Sequence, residues 1–280
     1  VRVRAIILGC GSSGGVPRIG GADGHGKWGD CDSGEPRNRR TRCSAVFQRA
    51  CDERGWDAPE LTTVLIDTAP ELRLQLTSAG VGRLDAVFYT HDHADQSHGI
   101  DDLRALSLNS GGERTPVYVD ERVCPDLLDR FAYCFRQAEG SPYPAILDAR
   151  TPPPPGEALV VDGPSGPLPV TSFLVEHGTV DALGFRIGPF AYSPDLNEPM
   201  PDSWGVIEGA ETWIVDALRR RPHPSHAHLG RALEWIGRVG AKGVLTNLHI
   251  DMDYRTLCAE LPSGVIPAHD GLVLEAEEAG

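Results

Sequence analysis

A chain of 280 residues with a formal net charge of −14 is long enough for one large domain or two small ones, and its negative field repels nucleic-acid backbones, which argues against a long RNA or DNA partner. No stretch approaches the roughly 20 apolar residues of a membrane span, which argues against a membrane protein too. The seven cysteines are scattered, odd in number and free of CxxC spacing, which predicts reduced thiols and a cytoplasmic home.

Taken in chain order, the opening run VRVRAIILGCGSSGG reads as a strand entering a glycine loop; its apolar part is too short and too β-branched for a signal peptide. The loop CGSSGG offers backbone N–H groups and Ser12 or Ser13 to an anion. In GGADGHGKWGDCD, Cys31 and His25 are the only soft ligands, too few for the four of a structural zinc. PRNRRTR, residues 36–42, puts four arginines into an acidic protein. It is either a solvated basic loop or an anion clamp in which Arg39 and Arg40 hold phosphate.

Further short, β-branched runs predict strands at 43–48, 62–68, 85–91, 115–120, 170–178, 189–195, 211–218 and 242–249. Helices are predicted at 125–135, at 225–240 with Leu229, Leu233 and Ile236 on one side, and at 253–264, stopped by proline. Residues 151–169 read as a Pro/Gly-rich loop. With strands outnumbering helices, and helices mostly late, the pattern predicts an α/β fold with mixed sheets, residues 1–280 forming one domain.

FYTHDHADQSHGIDDLR, residues 88–104, carries the densest chemistry. A strand ends in an extended segment that lets His91 and His93 point the same way, with Asp95 on the same parity. Two imidazoles and a carboxylate suit zinc or manganese. Asp101 and Asp102 read as N-terminal acids of a following helix or as partners of a histidine ligand. The loop 219–228 adds His223, His226 and His228; a histidine there can bind phosphate or protonate a leaving alkoxide.

The set THDHADQ, LGCGSSGGVPRIG, LIDTAP, VEHG, AYSPD, LTNLHIDMDY and AHDGL resembles the metallo-β-lactamase superfamily over nearly the whole chain. It is nearest to the phosphoribosyl cyclic phosphate phosphodiesterases, with ribonuclease Z and the pyrroloquinoline quinone biosynthesis protein B as cousins. The resemblance implies a four-layer αββα sandwich and a metal-dependent hydrolase. Its metal-bound hydroxide attacks phosphorus in a small ester, such as a cyclic nucleotide or ribose phosphate. It implies His91, His93, His177 and Asp195 as first-site ligands, Asp67 as a support, Asp95 as orienter of the nucleophile or second-site ligand, and His226 as the catalytic histidine. The relatives' general-acid pattern D-x-x-H puts Arg219 at its histidine.

Two departures fall on the second site: Gln96 and Asn247 stand where the family has histidines. Their carbonyl oxygens are poor zinc ligands, and His98 or His249, two residues on, are candidate replacements. The expectation is one tightly held Zn2+ or Mn2+ and a second that is weak or absent. The rival readings are a non-catalytic phosphate-binding protein and a thioester or lactone hydrolase on the same fold. The oligomeric state, a homodimer included, stays open.

Overall fold

Two mixed sheets organise the computed structural model, which describes residues 2–51, 55–57 and 60–277. Six strands start the first sheet: β1 (Arg2–Gly9), β2 (Ser44–Ala50), β3 (Thr62–Ile66), β4 (Ala86–Phe88), β5 (Thr115–Tyr118) and β6 (Leu147–Arg150). The second holds β7 (Ala158–Val161), β8 (Leu168–His177), β9 (Val180–Ile187), β10 (Phe190–Ser193), β11 (Glu198–Pro199), β12 (Thr212–Asp216), β13 (Lys242–Thr246) and β14 (Val265–Pro267). A final strand, β15 (Leu272–Glu277), returns to the first sheet beside β1.

Both sheets have the same plan. The first runs β15-β1-β2-β3-β4-β5-β6 and the second β11-β8-β9-β10-β12-β13-β14, with β7 added to β8. Each is antiparallel up to β3 or β10 and parallel beyond. The parallel strands end on one edge, and the loops at that edge gather there.

β12 shows why the sheets stack. All five of its residues are buried. Its alternation sends Ile214 into the core between the sheets and Trp213 and Val215 toward the outer helix Leu229–Val239. Between the sheets, Phe47 meets Phe190 and Tyr192, and Phe88 meets Phe185, with ring centroids 5.6–6.1 Å apart. On the outer face, Trp213 and Trp235 stack at 6.2 Å. With helices outside both sheets, this is the expected four-layer αββα sandwich.

All nine predicted strands form. The predicted helices at 225–240 and 253–264 form as Leu229–Val239, ended by left-handed Gly240, and Tyr254–Glu260, capped by Asp253. Three expectations need correction. The 125–135 helix breaks at Phe131 into Leu127–Arg130 and Ala132–Phe135. The Pro/Gly-rich loop contains β7, which pairs antiparallel with β8. Helices are not mostly late either: Leu72–Ala79 and Leu103–Asn109 lie in the first half. Gln75 interrupts the apolar face of the first of these. It is buried there because its amide donates to the Thr41 hydroxyl and the Arg42 carbonyl.

Candidate metal centre

Every residue of the centre sits at or just beyond the carboxyl end of a strand: Asp67 after β3, His91 after β4, His177 at the end of β8, Asp195 after β10, Asp216 at the end of β12 and Asn247 after β13. The loop after β4 is tied to the second sheet by the Leu183 amide, which donates to the Thr90 carbonyl at 2.8 Å. Asp67 (φ 62°) and Asn247 (φ 58°) are the non-glycine residues with left-handed backbone among those described, and both flank the centre. Such backbone costs energy and is tolerated best by Asn, Asp and His.

Three imidazoles converge. His91, His93 and His177 each offer a ring nitrogen within 4.8 Å of the others, and His91 Nε2 lies 2.8 Å from His93 Nδ1. The outward nitrogens of His91 and His177 are occupied. The His91 Nδ1–H faces the Thr90 hydroxyl at 3.0 Å, and that hydroxyl and the Thr90 amide donate to the two oxygens of buried Asp67. The His177 Nδ1–H donates to the Ser225 carbonyl at 2.8 Å. This leaves the Nε2 lone pairs of His91 and His177 to the centre, the tautomer a metal needs. Burial, with the neighbouring histidines, pulls the His91 imidazole down, and burial and His226 take His177 down to about 4. Neutral rings are what a cation binds.

Asp195 is the carboxylate of the centre. It is fully enclosed, and burial pushes its carboxyl up, opposed by the His226 ring. With His177 and His226 it forms a second potential ligand triad that shares His177 with the first. The donor set of three imidazoles and one buried carboxylate fits a borderline divalent cation such as zinc. Among the described residues, no other group of three or more metal-capable side chains converges in this way.

His226 faces this triad from the 219–228 loop. Its Nδ1–H donates at 2.7 Å to Asp216 Oδ2, and Asp216 is wholly buried. Burial opposes charge on His226, but Asp216, Asp195 and Asp95 outweigh it and raise the ring to about 9. Asp216 is the residue that reading the sequence missed. It lies inside the predicted strand 211–218 and carries no signal of its own, and only the fold brings it to a loop histidine ten residues on.

A cleft of about 260 Å3 opens beside the centre, lined by Ser12, Arg18, Asp95, Arg219, His223, His226, Asn247 and His249, with Ser13 at its rim. Ser12 is buried, and its hydroxyl has no hydrogen-bond partner. The glycine loop, Asp95 and the loop histidines are thus brought together. His249 turns its Nδ1 to Asp251 at 2.9 Å. His98 is not part of the site: its ring lies edge-on to Phe131 at 5.7 Å. Asp101 and Asp102 are helix acids, paired with Arg104 and with the Arg73 amide.

The arginine segment is corrected outright. Arg40 is buried and donates to Asn38 Oδ1 and to the Met252 carbonyl, with Cys31 Sγ at 3.8 Å. Arg39 lies over the Trp28 ring, Arg37 over Tyr254, and Arg42 pairs with Glu71. None of the four lines the cleft; its arginines are Arg18 and Arg219. Arg18 is isolated in its loop, and Arg219 opens the run Arg219, Arg220, Arg221.

Residues 62–250 match the family described as the Beta-lactamase superfamily domain. The chain belongs to that superfamily. A solved structure described as a new diphosphatase from the PhnP family is 32% identical, covers 99% of this chain and 98% of its own, and superposes with a TM-score of 0.81. It bears out the resemblance to the phosphodiesterase branch. Zn(2+)-bound PqqB from Methylobacterium extorquens, 18% identical over 97% of this chain and 99% of its own, shares the fold with a TM-score of 0.67. An octanoyltransferase of Porphyromonas gingivalis is 31% identical over 287 residues, which is 99% of this chain. The chain spans only about half, 52%, of that relative's length.

Proposed function

We propose that this chain is a metal-dependent hydrolase of a small phosphate ester or anhydride, with a nucleotide or ribose phosphate as the substrate class. The observation that carries the reading is the position of the cleft. Three imidazoles and a buried carboxylate adjoin it through His226, and Arg18, Arg219 and the unpartnered Ser12 hydroxyl line it. Arginine forks and a hydroxyl at a glycine loop suit phosphoryl oxygens. The similarity to a PhnP-family diphosphatase supports the same class of bond.

His91, His93, His177 and Asp195 would hold one Zn2+ or Mn2+. When bound, such an ion lowers the pKa of water and polarises a phosphoryl oxygen. Asp95, in the same cleft, accepts a proton or orients the attacking water. His226, charged and fixed by Asp216, presents its other ring nitrogen to the cleft as a proton donor for the leaving oxygen. Arg18 and Arg219 bind the remaining phosphate oxygens. Seven free thiols and the absence of any helix long and apolar enough to cross a membrane among the described residues support a cytoplasmic setting.

The test is turnover of bis(p-nitrophenyl) phosphate and of nucleoside and ribose phosphates with added zinc or manganese. Hydrolysis that chelator or His177→Ala abolishes is expected. Phosphate binding without turnover would return the chain to a non-catalytic binding role. A second reading, thioester hydrolysis, is favoured by the similarity to part of an octanoyltransferase. Cleavage of an octanoyl thioester with phosphate esters untouched would establish it instead. If His226 is the acid, His226→Ala loses most with alkoxide leaving groups and little with nitrophenolate, which leaves without a proton.

A further inference from the structure

Gln96 and Asn247, the two departures from the family pattern, both turn to Asp195. Gln96 Nε2 donates to Asp195 Oδ2 at 2.8 Å, and Asn247 Nδ2 donates to Asp195 Oδ1 at 3.1 Å. All three side chains are buried. The backbones that carry them are anchored. The main-chain carbonyl of Gln96 accepts from the Thr68 amide at 2.8 Å, and Asn247 takes a left-handed backbone next to Leu248, whose amide donates to the Cys10 carbonyl at 2.8 Å. An amide facing a carboxylate presents its NH2 end, since its oxygen would meet a lone pair. The buried Gln96 Oε1 is correspondingly left without a partner.

We infer that the two amides take the place of a second cation at Asp195. A buried carboxylate needs positive charge or donors on each oxygen. In a two-metal centre the bridging carboxylate has a metal ion on either side; here each oxygen meets an N–H. A cation entering the second position meets the hydrogens of both amides, not their oxygens. It binds only if both turn over, which strips Asp195 of its donors. The expectation from sequence was that these residues are poor oxygen ligands. The geometry gives them a different role. They fix the orientation of Asp195 for a single metal and block the neighbouring position. This rests on the reading of His91, His93, His177 and Asp195 as a metal site, and it makes Gln96 and Asn247 positioning residues.

Metal binding, not turnover, tests it. Metal-free protein is titrated with Zn2+ and with Mn2+ by calorimetry, with bound metal counted after dialysis, in the wild type, in Gln96→Ala/Asn247→Ala and in Gln96→His/Asn247→His. The wild type should bind one equivalent. The alanine pair should also bind one, roughly 10- to 100-fold more weakly, the usual cost of losing groups that orient a ligand. The histidine pair should bind two. Gln96→Ala alone serves if a double variant fails to fold, and it too should keep one equivalent at lowered affinity. Two equivalents in the wild type overturn the inference alone. So does an alanine variant that loses an equivalent while the other binds unchanged, because the amides would then be oxygen ligands. A wild type that binds no metal overturns the underlying reading of the site, and this inference with it.

Discussion

Two short stretches of this chain look equally functional and are put to opposite uses. Residues 88–98 hold three histidines and residues 36–42 hold four arginines. In the first, His91 and His93 converge with His177 from another sheet. In the second, every arginine is spent inward or on a neighbour. Arg40 reaches the Met252 carbonyl, and its backbone exchanges hydrogen bonds with Val16, so that it forms a floor under the glycine loop. The difference lies in what each side chain faces. An imidazole with one nitrogen tied from behind keeps a lone pair for a ligand; a guanidinium bonded from below keeps nothing for phosphate. Density of reactive side chains in sequence marks where chemistry is possible. Long-range partners decide whether it is used.

The sharpest way to break the contrast is to remove one residue from each side. His177→Ala takes a ring from the centre, and a loss of kcat/KM of at least about 100-fold is expected, the scale at which even supporting groups around a metal act. Its thermal transition without added metal should stay close to the wild type's. Arg40→Ala should do the reverse. It deletes a buried guanidinium from a network with Asn38, Met252 and Cys31, at a cost on the order of 2–4 kcal/mol for a broken buried network and the space left behind. Urea unfolding should show this loss, with KM unchanged. A raised KM at unchanged stability would restore the anion-clamp reading of the segment.

Arg219→Ala probes the cleft's own arginine. It contacts the Arg221 and Pro222 carbonyls in its own loop and lines the cleft. KM for a phosphate substrate should rise roughly tenfold, about 1.4 kcal/mol of binding, with less effect on stability than Arg40→Ala. An unchanged KM would remove Arg219 from substrate binding and leave Arg18 as the cleft's phosphate-binding arginine.

What could be read in advance follows the same division. His91, His93 and Asp95 are legible because one strand end presents them together; His177 and Asp195 are legible through the family resemblance of VEHG and AYSPD. The nine foreseen strands are β-branched and bounded by turn residues. β9 was not foreseen because Asp181 and Gly184 interrupt it. Gly184 is there because Phe173 packs against its backbone, leaving no room for a Cβ. The directions of the Gln96 and Asn247 amides, the pairing of Asp216 with His226 and the burial of Arg40 depend on residues from 10 to 212 positions away. No local pattern carries them.

The last comparison concerns the scaffold beside the glycine loop and tests whether that side is held by neutral or by charged groups. Asp270 joins three parts of it. Its Oδ1 accepts from the Cys10 amide, and its Oδ2 accepts from the amide and hydroxyl of Thr41. Burial nonetheless pushes the carboxyl up to about 6, against those donors. An unfolded aspartate titrates near 4, so between about pH 4 and pH 6 the folded state holds the extra proton. Stability from this group is therefore present at low pH and falls as pH rises through that window, by on the order of 3 kcal/mol at ~1.4 kcal/mol per unit. Asp270→Asn keeps the shape and cannot ionise. The check is the wild-type unfolding free energy minus that of the variant, measured in urea at pH 4, 5, 6 and 7. The difference should shrink from pH 4 to pH 6 and then level off. A difference that grows with pH would mean that the donors from Cys10 and Thr41 outweigh burial, making Asp270 a fixed anion and this side of the molecule, like the centre, an arrangement around a buried charge.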